Sequence, residues 1–305
     1  MPRVAYAPYD ERNQTYANAG NANLGRWPLG TRLILPDERE YRFVLNDGTV
    51  EIAGNLYQAV AAVADHLNRP VDVARAIDAV LLSATLTGTA AAVDIYAEGM
   101  AHSNDAVGEA YAYRIRRANT VGAAHAAAVA SGVLTVNLDA NEMLQVALDT
   151  TSEVTFTRNR YHQVLITAAP PTGLISGVSP GVAALDRYYW SQTKGYAAVL
   201  ANRTLLAGLP VQPDIGVAGS VETVKRRARS GGTTIAVPTT AAIRAAAILN
   251  QDGTTTDLWQ LASVSTMVTA EFDISGPIAI NSPPVGMCVK ANASTEFALI
   301  DLSIN

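Results

Sequence analysis

The residues best suited to chemistry are four carboxylates that lie close together along the chain, Asp94, Glu98, Asp105 and Glu109. They flank one predicted β-hairpin. Paired carboxylates can act as general acid and base on a glycoside, or they can bind Ca²⁺. Either role needs side chains within a few ångströms, which sequence spacing does not establish. The simpler interpretation is a solvated strand edge and loop.

The remaining search for chemistry is negative. The sequence has no glycine-rich phosphate loop, no Gly-x-Ser-x-Gly and no His-Glu-x-x-His. Its four histidines, His66, His102, His125 and His162, show no helical ligand spacing. The single cysteine, Cys288, excludes an intrachain disulfide and a zinc site built from cysteines. We therefore predict no enzyme, no metal and no cofactor.

Composition limits the partners. Of 305 residues, 49% are hydrophobic and 16% charged, which favours a folded chain over a disordered one. The net charge of −5 argues against direct nucleic-acid binding by bulk electrostatics. The longest apolar run, residues 79–93, is shorter than a membrane span and is interrupted by polar residues. The N-terminus lacks the apolar stretch of a signal peptide. We expect no membrane contact and a cytosol-like compartment.

Aromatic residues mark the N-terminal segment. Residues 11–25 are polar, rich in asparagine and without period, yet the whole segment 1–30 carries four large side chains, Tyr6, Tyr9, Tyr16 and Trp27. Such side chains are costly to leave in water. The segment is therefore interpreted as an extended arm that lies on its own body or on a neighbour. A frayed terminus is the open alternative.

Two further groups are candidate contact residues. Arg226 and Arg227 belong to the densest basic run, which could meet nucleic acid or an acidic protein surface, or could be a solvated loop. Tyr188 and Trp190 could form a sugar-stacking platform, although aromatic residues within a strand are more often core or interface anchors.

Periodicity and turn residues predict the local elements. Residues 40–45 and 49–52, separated by Asn-Asp-Gly, are typical of a hairpin. Helical spacing predicts a helix over residues 55–67 and a weaker one over 71–82. An alanine-rich stretch predicts a late helix over residues 239–249.

Most of the remaining segments are predicted to be β. They include residues 93–98, 110–117, 132–138 and 144–148, each a short strand candidate bounded by turn residues. Strands are also predicted at 153–157 and 163–167. Hairpins are predicted from residues 187–192 with 195–200, and from 285–290 with 296–304.

The predicted fold is mainly β, with a minor α contribution. A β-sandwich or barrel body carries an extended N-terminal arm and a few short helices. The arm is assigned to residues 1–40, a hairpin with short helices to 41–92, and the β-rich body to 93–305.

An ordered series of segments resembles a known family. These segments are LGTR (29–32), EYRF (40–43), AGNLYQ (53–58), LDTTSEV (148–154), YYWSQTKG (188–195), VLANRTL (199–205) and VGMCVKANASTEFALIDL (285–302). Together they are similar to virion structural proteins of tailed bacteriophages, particularly phages of aquatic bacteria. The resemblance implies a capsid cement, or decoration, protein. Residues 225–261 depart from the family pattern and look like an insertion, either an outward projection or an extra clamp.

The resemblance also implies partners. Such proteins commonly sit as trimers at threefold positions of the head and clamp adjacent major capsid subunits. We therefore expect a homotrimer that binds the major capsid protein on the outside of the virion, after synthesis in the bacterial host cytoplasm. Three alternatives remain: a head-fibre or receptor-binding module that recognises host glycans, the major capsid protein itself, and a carbohydrate-active enzyme.

Overall fold

The computed structural model divides the chain into two compact units. One contains Met1–Val224 with Ser282–Asn305, and the other contains Lys225–Asn281. The structure describes residues 4–6, 11–17, 27–117, 124–224, 246–249, 255–259, 283–292 and 296–304.

The chain is mainly β, as predicted, with 43% of residues in strands and 3% in helical turns. The described helical turns are 3₁₀ turns at Glu11–Asn13 and Ala64–His66. The strands are β1 (Val4–Tyr6), β2 (Tyr16–Ala17), β3 (Arg32–Ile34), β4 (Glu40–Leu45), β5 (Leu56–Gln58), β6 (Arg69–Pro70), β7 (Leu81–Thr85), β8 (Met100–Asp105), β9 (Ala112–Arg114), β10 (Val133–Asn137), β11 (Glu153–Thr157), β12 (Leu165–Ile166), β13 (Ile175–Val178), β14 (Arg187–Ala201), β15 (Pro210–Pro213), β16 (Val221–Thr223), β17 (Ala246–Leu249), β18 (Thr255–Trp259), β19 (Gly286–Lys290) and β20 (Glu296–Ser303).

A closed five-stranded barrel forms the centre of the first unit. Its strands follow the order β14–β16–β15–β19–β20, and β20 pairs back with β14. Small and branched side chains point inward, among them Val199, Ile300 and Leu302, because apolar residues alternate along β14 and β20. Closure pairs the strand edges that an open sheet would leave exposed.

Strand β14 continues beyond the barrel and organises a second layer. Its N-terminal half pairs antiparallel with β4, and β3 and β1 extend that sheet outward. Aromatic side chains fill the space beneath, with Tyr41, Phe43 and Trp190 fully buried. One long strand therefore joins the barrel rigidly to an aromatic core.

A separate lobe, residues 69–157, has its own core. It contains the four-stranded sheet β6–β11–β8–β9 and the strand pair β10–β7. Tyr96, Tyr113 and Phe156 are fully buried among its aliphatic side chains. In the second unit, β17 and β18 form an antiparallel pair.

The helix predictions are wrong wherever the structure describes the residues. Residues 55–67 contain β5 and a single 3₁₀ turn, because β5 is buried on both faces and pairs with β12 and β13. Residues 71–82 run as an irregular segment into β7. Ala246–Leu249 is a strand, and residues 239–245 lie outside the described chain. Tertiary pairing overrides local helix propensity in these segments.

Of the three predicted hairpins, the one at the C-terminus is confirmed and the other two are wrong. β19 and β20 pair as predicted. The hairpin over 187–200 is instead one continuous strand, in which Gly195 (φ +79°) follows a register shift rather than forming a turn. The hairpin over 40–52 is also wrong, since β4 pairs with β3 and β14.

The remaining predicted strands are confirmed only where a partner strand is available. β9, β10 and β11 form as predicted, and β12 covers the middle of the 163–167 prediction. Residues 93–98 are turns, with Asp94 and Glu98 at positive φ. Residues 144–148 contribute only a bridge from Leu148 to Arg75. A short apolar segment without a long-range partner does not become a strand.

Candidate interaction surface

The described part of the N-terminal arm lies on its own chain. Tyr16 in β2 pairs with Tyr188 in β14, and its ring centroid lies 5.9 Å from that of Phe43. Glu11 Oε1 accepts hydrogen bonds from the Tyr16 hydroxyl at 2.6 Å and from Trp190 Nε1 at 3.3 Å. These contacts close one side of the aromatic core.

An ion pair between buried Glu98 and partly exposed Arg117 fastens the segment that contains Trp27. Glu98 accepts a hydrogen bond from the Leu29 amide at 2.6 Å and pairs with Arg117 Nε at 2.8 Å. Arg117 also donates to the Trp27 carbonyl at 3.2 Å. Burial raises the pKa of the Glu98 carboxyl, and Arg117 acts against that shift. Trp27 itself is half-buried against the aromatic core.

The other aromatic and basic candidates are placed differently. Tyr188 and Trp190 are buried, and the Phe43 ring lies 5.4 Å from the first and 4.9 Å from the second. As core residues they cannot supply an exposed platform or contact surface in this conformation. Tyr6 lies opposite Ile34 in the backbone register of β1 and β3. The remaining candidates, Tyr9, Arg226 and Arg227, lie outside the described residues.

The four carboxylates lie in different surroundings. Asp94 accepts hydrogen bonds from the backbone amides of Ala124 and His125, whereas Glu98 bonds Leu29 and Arg117. Asp105 and Glu109 are exposed. Within the described ranges, no three His, Cys, Asp or Glu side chains are placed to hold a metal ion.

The two buried histidines are structural. The His66 ring bonds the Tyr96 hydroxyl and the Thr89 carbonyl. The His125 ring accepts from the Tyr96 amide at 3.0 Å and bonds the Ala126 carbonyl at 2.8 Å. Burial lowers the pKa of His125 and raises that of Tyr96 to about 12. Both rings thus organise the core of the lobe.

Sequence reasoning missed an apolar surface on the outside of the barrel. We call it the barrel patch, and it consists of Tyr196, Met287, Val289 and Phe297, which are between 41% and 59% exposed. Met287 and Tyr196 flank Asp301 across three adjacent strands. The available signal was that β14, β19 and β20 carry apolar residues in both alternating phases, so that both faces are apolar.

A second apolar surface lies on two neighbouring loops. This loop patch consists of Val50, Ile52, Val182 and Leu185, which are between 53% and 69% exposed. The antiparallel bridge from Glu51 to Ala183 places Ile52 opposite Val182. Clustered apolar residues of this kind mark protein contacts more often than scattered ones do.

Comparisons with protein-family models, with curated proteins and with solved structures found no match. Across the described residues, no helix is both long enough and apolar enough to cross a membrane.

Both patches consist of exposed apolar side chains. Each brings together large apolar side chains, and the barrel patch lies on paired strands that hold these side chains at fixed positions. Burial of such surfaces contributes about 25 cal/mol per Å² of apolar area removed from water. The body therefore carries two exposed apolar surfaces, one on barrel strands and one on loops.

Proposed function

We propose that this chain is a structural, non-enzymatic protein of a tailed-bacteriophage head, a capsid cement protein that binds the outside of the shell and clamps adjacent major capsid subunits. The family resemblance of the sequence motivates the specific role. The observation that carries the proposal is the pair of apolar patches on a rigid β body.

The barrel patch suits a permanent contact. Aromatic and methionine side chains dominate the energetic centres of protein interfaces, and the patch contains Tyr196, Phe297 and Met287. These side chains stand on strands of a closed barrel, so little backbone entropy remains to be lost on binding. A surface of this kind favours a stable partner over a transient one.

The rigidity of the body also supports a clamping role. Pressure from packaged DNA pushes capsid subunits apart, and a clamp resists by staying folded under load. The continuous strand β14 connects the barrel to the aromatic core, and backbone pairing runs along its length. Many copies, each with modest contacts, would hold a shell through valency.

The homotrimer and the major capsid protein are the proposed partners. Two distinct patches allow one to face a sister subunit and the other to face the shell. The arm already packs against its own body, because Tyr16 and Trp27 contact the aromatic core. A protein that binds the outside of the shell is located on the virion surface, so this location is part of the same proposal.

The alternatives are less well supported. Glycan recognition through Tyr188 and Trp190 would require exposed rings, and both rings are buried. A major capsid protein of tailed phages features a long spine helix, whereas the described residues contain only 3₁₀ turns. A carbohydrate-active enzyme would need paired carboxylates, and Asp94 and Glu98 bond different partners.

Co-sedimentation with expanded heads that lack this protein tests the proposal. The informative variant combines Tyr196→Lys with Met287→Lys. Both lysines would lie opposite Asp301, and this favourable charge contact should allow the variant to fold. The matched control is Ile77→Lys, an equally exposed apolar residue in the lobe. We expect saturable binding of the wild type, an unchanged control, and at least about a tenfold loss for the double variant.

Shell melting gives the second readout. Bound wild-type protein should raise the melting temperature of the shells. Absence of binding to shells, together with retention on host cells or glycans, would contradict the cement role. Equal binding by the double variant would exclude the barrel patch as the contact.

A further inference from the structure

A buried acidic side chain lies directly beneath the loop patch. Glu51 is 1% exposed, although the residues on either side of it, Val50 and Ile52, are more than half exposed. Its amide donates to the Ala183 carbonyl at 2.8 Å, which fastens the loop of residues 46–55 to the neighbouring segment. The carboxyl therefore points inward at the point where the loop is attached.

The environment of this carboxyl is unusual because it lacks a cation. The groups that face it are Tyr57 on β5, Tyr189 on β14 and Asp47 earlier in the same loop. Asp47 is the charged group among them, and no Lys, Arg or His contributes within the described part of the chain. The hydroxyls of Tyr57 and Tyr189 hydrogen-bond to the carboxyl and act against the upward shift of its pKa, whereas burial and Asp47 raise it. A buried carboxylate without a cation beside it is strongly unfavourable, whereas a neutral carboxyl is tolerated.

The loop is attached through a group that also faces the Glu51 carboxyl. The Ile52 amide donates to the Tyr57 hydroxyl at 2.7 Å, so the loop is fastened to β5 by the same tyrosine that faces Glu51. Tyr57 and Tyr189 pack together with Val44, Val164 and Ala183 in one buried cluster. Water entering to solvate an ionised Glu51 would have to part the loop from this cluster.

We propose that Glu51 is a proton-controlled latch. Its neutral carboxyl holds residues 46–55 against β5, β14 and the segment around Ala183, and its ionisation loosens that attachment. The loop patch lies on the two segments that the latch joins, so ionisation also changes the relative placement of Ile52 and Val182. The latch concerns the isolated chain and is independent of shell binding.

The direction of the pH dependence follows from proton linkage. Burial raises the pKa of Glu51 from 4.5 to about 8, and the Asp47 charge adds to the shift. The folded chain therefore keeps a proton that the unfolded chain releases. The stability associated with this group is fully present below pH 4.5, declines as pH rises toward about 8, and is then constant.

Unfolding of three proteins across this range tests the latch. The proteins are the wild type, Glu51→Gln, which mimics the neutral carboxyl, and Glu109→Gln, which neutralises an exposed carboxylate. The wild-type melting temperature should fall relative to that of Glu51→Gln by several degrees as pH rises from about 5 to about 8. Glu109→Gln should follow the wild type. Parallel curves for the wild type and Glu51→Gln would overturn the proposal.

Two measurements on the wild type keep the test decisive if Glu51→Gln does not fold. The infrared C=O stretch of a neutral carboxyl should persist at neutral pH, and its absence would contradict the latch. Amide exchange at Glu51 and Ile52 should lose protection with rising pH, after correction for intrinsic exchange. The Val285 amide, bonded to Val211 in the barrel, is the internal control. Equal changes at the three amides would also refute the latch.

Discussion

At the scale of single residues, buried polar groups are arranged in two contrasting ways. Glu98 is paired with Arg117 and with the Leu29 amide, and both act against the rise in its pKa that burial causes. Glu51 has no cation beside it, so burial and Asp47 raise its pKa further, to about 8. The two buried carboxyls therefore differ in whether a cation offsets the cost of burial.

The Glu98 anchor is testable by truncation. Glu98→Ala removes the acceptor of the Leu29 amide and leaves Arg117 without its carboxylate. We expect a loss of about 1–3 kcal/mol in the free energy of unfolding, because the Leu29 amide loses its acceptor and the partly exposed Arg117 loses one favourable charge contact. Chemical denaturation measures the loss. Glu109→Ala, at an exposed position, should change stability by less than about 0.5 kcal/mol, and a similar loss in both variants would refute the anchor.

At the scale of elements, long-range pairing decides what each segment becomes. β14 runs through Gly195 because β20 pairs with one half and β4 with the other. The loop that ends at Gly54 lies close to this strand, and the Leu200 amide donates to the Gly54 carbonyl at 2.9 Å. The close approach explains the glycine, since a Cβ there would overlap the Phe297 ring.

Two glycine substitutions separate steric from conformational effects. Gly54 and Gly208 share nearly the same positive φ, +78° and +80°, but a Cβ at Gly208 would meet nothing within 4 Å. Gly208→Ala should cost about 1 kcal/mol from backbone strain alone. Gly54→Ala should cost about 1–3 kcal/mol more, because the new methyl group meets Phe297. Thermal unfolding of both variants checks the difference, and equal losses would show that Phe297 gives way freely.

At the scale of the whole molecule, the arm completes the body on which the patches stand. Tyr16 covers Phe43, and Glu11 satisfies the indole of Trp190. The arm is therefore part of the fold of the proposed clamp, whether or not it also contacts a partner. If the arm is part of the fold, its removal destabilises the isolated chain. If the arm only binds the capsid, its removal leaves the stability of the isolated chain unchanged.

Deletion of residues 1–17 distinguishes these roles. Loss of the Tyr16 packing and of the Trp190–Glu11 hydrogen bond should reduce the stability of the isolated chain by about 2 kcal/mol or more. Differential scanning calorimetry without shells measures this loss. An unchanged melting temperature combined with loss of shell binding would assign the arm to the capsid instead. The point variant Trp190→Phe, which keeps most of the ring, is the milder comparison.

The sequence by itself determined the β class and the terminal strand pair. Residues 296–304 form a largely apolar run after a turn segment, and such a run predicts a strand even though it does not identify the buried face. Residues such as Tyr16 and Trp190 were identifiable as anchors because large rings are costly to leave in water.

Only the tertiary structure decided which faces are buried. β14 and β20 are apolar in both phases, so periodicity cannot tell Val199, which points into the barrel, from Tyr196, which points out. The helical spacing of residues 55–67 was equally ambiguous until pairing with β12 and β13 selected a strand. The inward turn of Glu51 depends on the bridge to Ala183, a contact between segments far apart in the chain. Such contacts depend on how distant segments meet, and local sequence carries too little information to specify them.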